Sequence, residues 1–155
     1  VGKICGMERA MKSGLGMYAV QLGELRMAAV VAVNALGDIF DSSTGRKIAG
    51  LRTEDGTAFS DSCEELWKMG QRENLFTGNT TIGAVITNGK FNKAQMNKIA
   101  SMTRNAYARC INPVGTMADG DSIYAASAGE VEADLNVAGT LAAYVMERAI
   151  VAAIR

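Results

Sequence analysis

The sequence predicts an α+β fold in which strands and helices form separate packed layers. Three features favour this class: two apolar strands early in the chain, an amphipathic helix in the second half, and a final helix that is apolar almost all round. The strands come in groups that are followed by helices, which is typical of α+β proteins. With 155 residues, the chain can bury a core, and we expect residues 1–155 to form one domain.

The first part of the chain predicts a loop followed by two strands. The glycine-rich segment Gly2–Gly16 predicts a loop with at most one short helical turn. Met17–Leu22 and Leu25–Val33 are predicted as strands that are separated by a Gly-Glu turn. The second strand contains a nearly continuous apolar run, which indicates burial on both faces.

The middle of the chain predicts turns, one capped helix and a strand. Ala35–Thr57 is dominated by turn residues, and a polar connector is expected at Glu73–Asn79. Between them, the carboxylate of Asp61 can accept hydrogen bonds from free backbone N–H groups and so cap a helix that runs to about Gln71. The β-branched segment Thr80–Thr87 then predicts a strand, followed by an Asn-Gly turn at 88–89.

Two helices and a short strand are predicted in the last third. From Asn92 to the residues before Pro113, apolar side chains recur at helical spacing opposite a basic face. Ser122–Ala126 predicts a short strand. Acidic residues, whose charge favours a helix N-terminus, then open the last helix: Glu130, Glu132 and Asp134. Because that helix is apolar almost all round from Val137 to Ile154, it is expected to be buried in a layered fold or an oligomer.

The composition excludes several classes of function. Without histidine, the chain cannot form a Ser-His or Cys-His catalytic pair or a histidine-ligated metal site. Its 16 basic and 16 acidic residues give no net charge, so the basic surface typical of a nucleic-acid-binding protein is not expected. Three widely spaced cysteines form no Cys-x-x-Cys pair and indicate reduced thiols in a cytoplasmic protein: Cys5, Cys63 and Cys110. The apolar stretches are too interrupted to predict a membrane span.

Two short motifs resemble ligand-binding loops but lack the required context. Gly14–Ala19 matches G-x-G-x-x-A, yet a strand is predicted after it, whereas a dinucleotide-binding loop is followed by a helix. The Asp-Gly-Asp sequence at 119–121 could begin a calcium loop, but Ile123 and Tyr124 occupy positions that require a ligand and a glycine. The sequence therefore predicts no metal and no other cofactor.

The segment around Asn79 and Thr80 has two interpretations. One is a turn that precedes a β-branched strand. The other is an autocatalytic cleavage site, because scission before Thr80 would leave its hydroxyl beside a new α-amine. Such an amine has a pKa of roughly 7.7–8.0 and can act as the base. The absence of histidine makes the second interpretation attractive, since no imidazole is present to fill that role.

The same segment resembles a known family. Gly78–Asn88 is similar to the signature of the L-aminopeptidase/D-esterase family, the P1-type peptidases that include the nylon-oligomer hydrolases. Three further stretches agree with the family in order: Val1–Lys3 with Lys12–Gly16, Ala32–Asp38, and Asp119–Asp121 with the later Gly129. The resemblance extends over essentially the whole chain and depends on several separate motifs.

This resemblance implies a self-cleaving hydrolase with an N-terminal nucleophile and a four-layer α/β/β/α sandwich, of which this chain carries only the C-terminal half. Thr80 matches the nucleophile and Asn79-Thr80 the processed bond, so cleavage into residues 1–79 and 80–155 is expected. Four further positions match residues of the family's active site: Asn34, which helps bind the oxyanion, Lys3, which lies close to the nucleophile, and Asp119 and Asp121, a carboxylate pair that contacts the new amine.

The chemistry of the matched residues is coherent. In extended backbone, residues two apart point the same way, so Asp119 and Asp121 can converge on one point. Two close carboxylates do not both ionise easily, and one of them is expected to stay protonated. We therefore expect the pair to orient the amine and relay protons. Lys3 is expected to stabilise negative charge or to lower the pKa of the Thr80 hydroxyl.

The activity that the resemblance implies is hydrolysis of small peptides, amides or esters through an acyl-enzyme on Thr80. An acyltransferase of the ornithine-acetyltransferase type is one alternative, although the cleavage segment of that group does not read Asn-Thr-Thr-Ile-Gly. A truncated scaffold subunit without activity is another. We expect a homo-oligomer, with a second chain as one source of the missing N-terminal half, and neither a nucleic-acid nor a membrane partner.

Overall fold

The computed structural model describes residues 1–70 and 78–154. Within them the strands are β1 (Leu15–Leu22), β2 (Leu25–Ala32), β3 (Asp38–Asp41), β4 (Arg46–Ala49), β5 (Ile82–Gly89), β6 (Ile111–Asn112) and β7 (Ser122–Val131). The helices of the same residues are α1 (Ser62–Met69), α2 (Lys93–Cys110) and α3 (Leu135–Ala152). Most of the connector predicted at Glu73–Asn79 lies outside the described residues, as does the helix end predicted at Gln71.

The main sheet of the fold has four strands in the order β1-β2-β5-β7. β2 pairs antiparallel with both β1 and β5. β5 and β7 are parallel, with Ile82 opposite Ser122. The segments that lead into these two parallel strands therefore lie side by side at one end of the sheet, which brings Thr80 and Gly120 together.

The core lies between this sheet and the helices α2 and α3. The face of α2 that periodicity predicts as apolar is buried: Met96, Ile99, Thr103, Ala106 and Cys110. α3 approaches β1 closely because Gly16 has no side chain, and a Cβ there would lie 1.9 Å from the carbonyl oxygen of Ala149. By length and hydropathy α3 could cross a membrane, but 56% of its apolar window is buried inside the protein, as in a core helix.

The opposite face of the sheet is apolar and uncovered in the described part of the chain. We call it the open face, and its residues are Leu15, Met17, Ala19, Ala28, Val30, Ile82, Ala84, Ile86, Tyr124 and Ala126. Met17 is 68% exposed and Tyr124 is 65% exposed. The prediction that β2 is buried on both faces is wrong for the described chain, because the helices cover one face only and burial alternates along the strand.

A second sheet has the order β4-β3-β6. β3 and β4 lie in the region that the sequence predicts as turns, and β6 lies at the end of the helix predicted before Pro113. β3 and β4 have four residues each, and β6 has two and pairs Ile111 with Ile39. Strands this short carry too little alternation to be recognised from sequence, and they form here because distant segments pair.

Helix caps follow the sequence closely. The carboxylate of Asp61 accepts hydrogen bonds from the backbone N–H groups of Cys63 and Glu64, at 2.8 and 3.0 Å. Asn92 begins α2 in a capping box with Gln95. Both predicted N-termini are therefore confirmed, since a side-chain acceptor near free N–H groups is a local feature of the sequence.

The last strand and helix have boundaries that differ from the prediction. β7 runs to Val131, and the carboxylates of Glu130 and Glu132 lie 3.4 and 3.5 Å from Nζ of Lys90 instead of opening a helix. Of the three acidic residues predicted at this helix start, Asp134 alone caps α3. The Asn-Gly pair at 88–89, predicted as a turn, forms the end of β5.

A buried carboxylate joins the second sheet to α1. Oδ1 of Asp38 accepts hydrogen bonds from the N–H of Leu51 at 2.8 Å and from the hydroxyl of Ser62 at 2.7 Å. Its Oδ2 accepts from the N–H of Ser62 at 3.0 Å and from Nζ of Lys47 at 2.6 Å. We call these four residues the Asp38 cluster. The cluster anchors the segment that follows β2, against which Lys3 is held by a backbone hydrogen bond to Leu36.

Candidate active site

The predicted site residues come from four separate segments that meet at one end of the main sheet. Asn34 follows β2, and its carbonyl accepts a hydrogen bond from the N–H of Thr80 at 3.1 Å. Asn79 pairs with Asp119 in a parallel bridge ahead of β5 and β7. Lys3 reaches Asn34 from the N-terminal loop. The segments that carry the residues matched to the family are thus brought into contact.

Lys3 and Asn34 form one polar unit. Nζ of Lys3 donates to the side-chain oxygen of Asn34 at 2.8 Å and to its backbone carbonyl at 3.0 Å. Nδ2 of Asn34 donates to the carbonyl of Gly78 at 2.9 Å. Burial lowers the pKa of the Lys3 ammonium, while the negative charge of Asp119 opposes that shift. The unit therefore holds Gly78, the residue before Asn79, and places a positive charge near it.

The peptide bond between Asn79 and Thr80 is surrounded by donors. The hydroxyl of Thr80 donates to the carbonyl oxygen of Asn79 at 2.5 Å. The backbone N–H of Gly120 donates to the same oxygen at 2.9 Å. Gly120 has no candidate role in the sequence, although its place between the two matched aspartates is a signal that could have drawn attention to it.

The two aspartates have different partners. Oδ2 of Asp119 accepts from the N–H and the hydroxyl of Thr116 at 2.8 and 2.9 Å. Oδ1 of Asp121 accepts from the N–H of Thr81 at 2.7 Å. The expected convergence of both carboxylates on one group is therefore not observed. Each carboxylate instead fixes the backbone on one side of Gly120.

Asp121 lies in a partly buried position with a mixed electrostatic environment. Burial raises the pKa of its carboxyl, and the charge of Asp119 acts in the same direction. The hydrogen bond from Thr81 and the positive charge of Arg104 oppose the shift. The expectation that one of two neighbouring carboxyls holds its proton more tightly agrees with this direction.

Behind the strand, α2 supplies a buried tyrosine. The hydroxyl of Tyr107 lies 3.4 Å from the carbonyl oxygens of both Thr81 and Ser122, and so spans β5 and β7 where the site begins. Burial is the main cause of the raised pKa of this phenol, which therefore stays protonated. A cleft of about 280 Å³ adjoins it and is lined by Ala100, Ser101, Arg104, Tyr107, Asp121 and Ile123.

The chemistry available here is that of hydroxyl, amine, amide and carboxyl groups. In residues 1–70 and 78–154, no group of three or more Cys, Asp or Glu side chains is arranged to hold a metal ion. The hydroxyl of Thr80 lies against the carbonyl of the preceding residue, with a backbone donor on that carbonyl. Such an arrangement suits attack of a hydroxyl on a peptide carbonyl, with stabilisation of the negative charge on oxygen.

Comparisons with known proteins give one matching family and several relatives. The family model of peptidase family S58 matches residues 1–155. An uncharacterized aminopeptidase of Mycobacterium leprae is 31% identical over 125 residues, which are 79% of this chain and 34% of that protein. A 6-aminohexanoate-oligomer endohydrolase of Kocuria sp. is 29% identical over 132 residues, which are 81% of this chain and 36% of that protein.

Solved structures with the same fold include two aminopeptidases. The L-aminopeptidase D-Ala-esterase/amidase of Ochrobactrum anthropi, described as a variant of the Ntn-hydrolase fold, superimposes with a TM-score of 0.59 and 18% identity over 94% of this chain and 40% of that one. A β-aminopeptidase of Burkholderia sp. gives a TM-score of 0.56 at 16% identity over 94% of this chain and 42% of that one. The chain spans about a third of the length of the curated relatives it matches.

Proposed function

The chain belongs to peptidase family S58, and on this premise we propose that it is part of a self-processing amide hydrolase whose nucleophile is Thr80. The observation that carries the proposal is the contact between the Thr80 hydroxyl and the carbonyl oxygen of Asn79, at 2.5 Å. A nucleophile activated by its own α-amine requires no histidine, which the chain lacks. The contact also supports Asn79-Thr80 as the bond whose cleavage would release that amine.

Maturation would proceed through an ester. Oγ1 of Thr80 attacks the carbonyl carbon of Asn79, the bond from that carbon to the Thr80 nitrogen breaks, and the hydroxyl proton ends on that nitrogen. Water then hydrolyses the ester, which leaves a carboxylate on Asn79 and restores the Thr80 hydroxyl beside a free amine. The positive charge of Lys3, held by two hydrogen bonds to Asn34, favours the negative charge that develops in this step.

Substrate hydrolysis would repeat the same chemistry. The Thr80 amine takes the hydroxyl proton, Oγ1 forms an acyl-enzyme with the substrate carbonyl, and the proton passes to the departing amine or alcohol. Water, activated by the same amine, releases the acid. The carboxylate of Asp121 orients the backbone next to the nucleophile through the N–H of Thr81, so we assign it to positioning and proton relay.

The proposed substrates are small peptides, amides or esters. This class is supported by the names of relatives, which describe aminopeptidases and a 6-aminohexanoate-oligomer endohydrolase. All of these names concern cleavage of amide bonds.

We further propose that the rest of a longer protein completes the fold. A second sheet on the open face would give the four-layer α/β/β/α sandwich, and either the remainder of the same chain or another subunit would supply it. The exposed apolar residues of the open face support this, because an apolar sheet surface of that extent is unfavourable in water.

We also propose a cytoplasmic location, which the free thiols of Cys5, Cys63 and Cys110 support.

The proposal is tested by the mass of the purified full-length protein. We expect wild-type protein to break between Asn79 and Thr80 without added protease, and Thr80→Ala to remain uncut and inactive on an aminoacyl amide. Thr80→Ser should retain part of both activities, since it keeps a hydroxyl. As a matched control, Thr140→Ala removes an exposed threonine hydroxyl of α3 and should be cut normally. A single uncut chain in active protein, or a new N-terminus other than Thr80, would disprove the mechanism and favour an unprocessed scaffold.

A further inference from the structure

The carbonyl oxygen of Asn79 accepts a hydrogen bond from the backbone N–H of Gly120 at 2.9 Å. We propose that this N–H is an oxyanion donor of the enzyme. It would stabilise the negative charge on the Asn79 oxygen during self-cleavage, and afterwards that on the oxygen of the substrate's acyl group. This inference rests on the proposed function and adds to it a catalytic group that no side chain of the site provides.

The side chains expected to bind the oxyanion are engaged elsewhere before cleavage. Nζ of Lys3 donates to the two oxygens of Asn34, and Nδ2 of Asn34 donates to the carbonyl of Gly78. In the described chain the backbone N–H of Gly120 donates to the reacting oxygen before cleavage, together with the hydroxyl of Thr80, which is the nucleophile itself. Lys3 acts on this oxygen through its charge.

The lack of a side chain at position 120 brings this backbone close to both reacting atoms. A Cβ on Gly120 would lie 2.8 Å from Oγ1 of Thr80 and 3.7 Å from the carbonyl oxygen of Asn79. The first distance is shorter than real Cβ contacts allow, so any larger residue requires a shift of either the nucleophile or the backbone at position 120. The backbone angle at Gly120 is not one that requires glycine. Space beside the nucleophile, rather than backbone conformation, is what glycine provides here.

The backbone on both sides of this N–H is held by hydrogen bonds to the two aspartates. On one side, the carboxylate of Asp119 accepts from both donors of Thr116. On the other, the carboxylate of Asp121 accepts from the N–H of Thr81 at 2.7 Å. A donor fixed before the reaction stabilises the developing charge without a reorganisation cost. In this inference the two aspartates act partly by positioning the N–H that lies between them.

During self-cleavage the carbonyl oxygen of Asn79 would carry the negative charge that develops. The bond from Oγ1 of Thr80 to the Asn79 carbon forms, and the π electrons of the carbonyl move to the oxygen, which becomes an oxyanion hydrogen-bonded to Gly120. When the carbon–nitrogen bond breaks, the carbonyl reforms and the nitrogen of Thr80 receives the proton that the hydroxyl lost. No other reactant is needed until water hydrolyses the ester.

The test replaces the N–H by oxygen in the full-length protein. A Gly120→glycolate substitution, introduced by nonsense suppression in cell-free translation, converts that amide to an ester without changing its shape. The matched control is Ser122→glycerate, because the N–H of Ser122 donates to Thr81 at 3.0 Å in the next rung of the same ladder. We expect self-cleavage to slow by about 100-fold or more at position 120, as for loss of one oxyanion donor, and by less than about 5-fold at position 122.

Two outcomes would overturn the inference: normal cleavage of the 120 ester, or equal slowing of both esters. Neither would affect the proposed function, which fails separately if Thr80→Ala protein is cut. If the 120 ester lowers Tm so far that rates cannot be compared, the carbonyl-13C shift of labelled Asn79 in uncut Thr80→Ala protein decides. The 120 ester should move that signal upfield, whereas an unchanged shift would mean that no hydrogen bond is made.

A second variant tests the close approach to the nucleophile. Gly120→Ala should slow cleavage at least 10-fold, because its Cβ would lie 2.8 Å from Oγ1 of Thr80, too close for both atoms to keep their positions. Gly14→Ala is the control, since a Cβ there would lie 3.6 Å from the carbonyl oxygen of Ala153, an ordinary contact. Equal cleavage of the two alanine variants would contradict the geometry on which the inference depends.

Discussion

Asp121 combines a proposed role in the reaction with a cost to stability. Burial and the charge of Asp119 raise the pKa of its carboxyl above its ordinary value of 3.8. Between these two pKa values the folded protein binds more protons than the unfolded chain, so the free energy of unfolding falls as pH rises through that interval. At neutral pH the ionised carboxylate therefore makes folding less favourable, even though it holds the N–H of Thr81.

We predict that Asp121→Asn separates these two effects. Self-cleavage and hydrolysis should fall by about 100-fold, as when an acid–base element is disrupted. Stability should not fall with them, because the amide oxygen can still accept from Thr81 and no charge is buried. Relative to wild type, the free energy of unfolding of the variant should therefore be higher at pH 7 than at pH 3. Urea denaturation in the uncut Thr80→Ala background measures it, and a shift in the opposite sense would refute the assigned cause.

At the scale of elements, the Asp38 cluster connects β3, β4 and the start of α1. Asp38 is 1% exposed, and its two oxygens accept from two backbone N–H groups, one hydroxyl and one ammonium. Burial of this carboxylate is tolerated because the hydrogen bonds that it loses from water are replaced by hydrogen bonds from four protein donors. The short strands β3 and β4 depend on this cluster, since their own pairing is brief.

We predict that Asp38→Asn is strongly destabilising, by roughly 3 kcal/mol or more, as for a buried ion pair that loses one partner. An amide nitrogen at either oxygen position would face a backbone N–H, and Lys47 would lose its counter-ion. The control is Asp41→Asn in the same strand, where the carboxylate accepts from the N–H and hydroxyl of Ser43 at a half-exposed position. Denaturation midpoints of the two variants decide the matter, and similar losses in both would remove the special role of Asp38.

At the scale of the whole molecule, the open face is a broad apolar surface that no element of the described chain covers. Its rows run across four strands, from Met17 on β1 to Tyr124 on β7. A substitution to lysine on a surface that stays in water usually changes stability by no more than about 0.5 kcal/mol. A substitution on a surface covered by another sheet should cost several times more, because the charge is then buried.

We therefore predict that Met17→Lys destabilises the full-length protein by more than about 2 kcal/mol. Met7→Lys is the matched control, since Met7 is 73% exposed and Met17 68% exposed in the described chain, but Met7 lies in the N-terminal loop. The shift of Tm for each variant measures the difference. Equal and small shifts for both would mean that no layer covers the open face.

The local features of the chain were accessible from sequence because their signals are local. The buried face of α2 repeats every 3.6 residues, and Asp61 and Asn92 begin helices by binding N–H groups within three positions. The likeness to the family likewise predicted a site around Thr80. The matched residues Lys3 and Asn34 do contact each other, although their roles in catalysis stay predictions.

Only the tertiary structure decided which groups meet across long separations. The N–H of Gly120 reaches the carbonyl of Asn79 because β5 and β7 pair in parallel with one register. No periodicity in the sequence encodes that register, which follows from packing of α2 and α3 against the sheet. The same holds for the Asp38 cluster, whose donors lie up to 24 positions away. Spacing along the chain reports burial and caps, whereas the partners of a buried polar group depend on how the layers assemble.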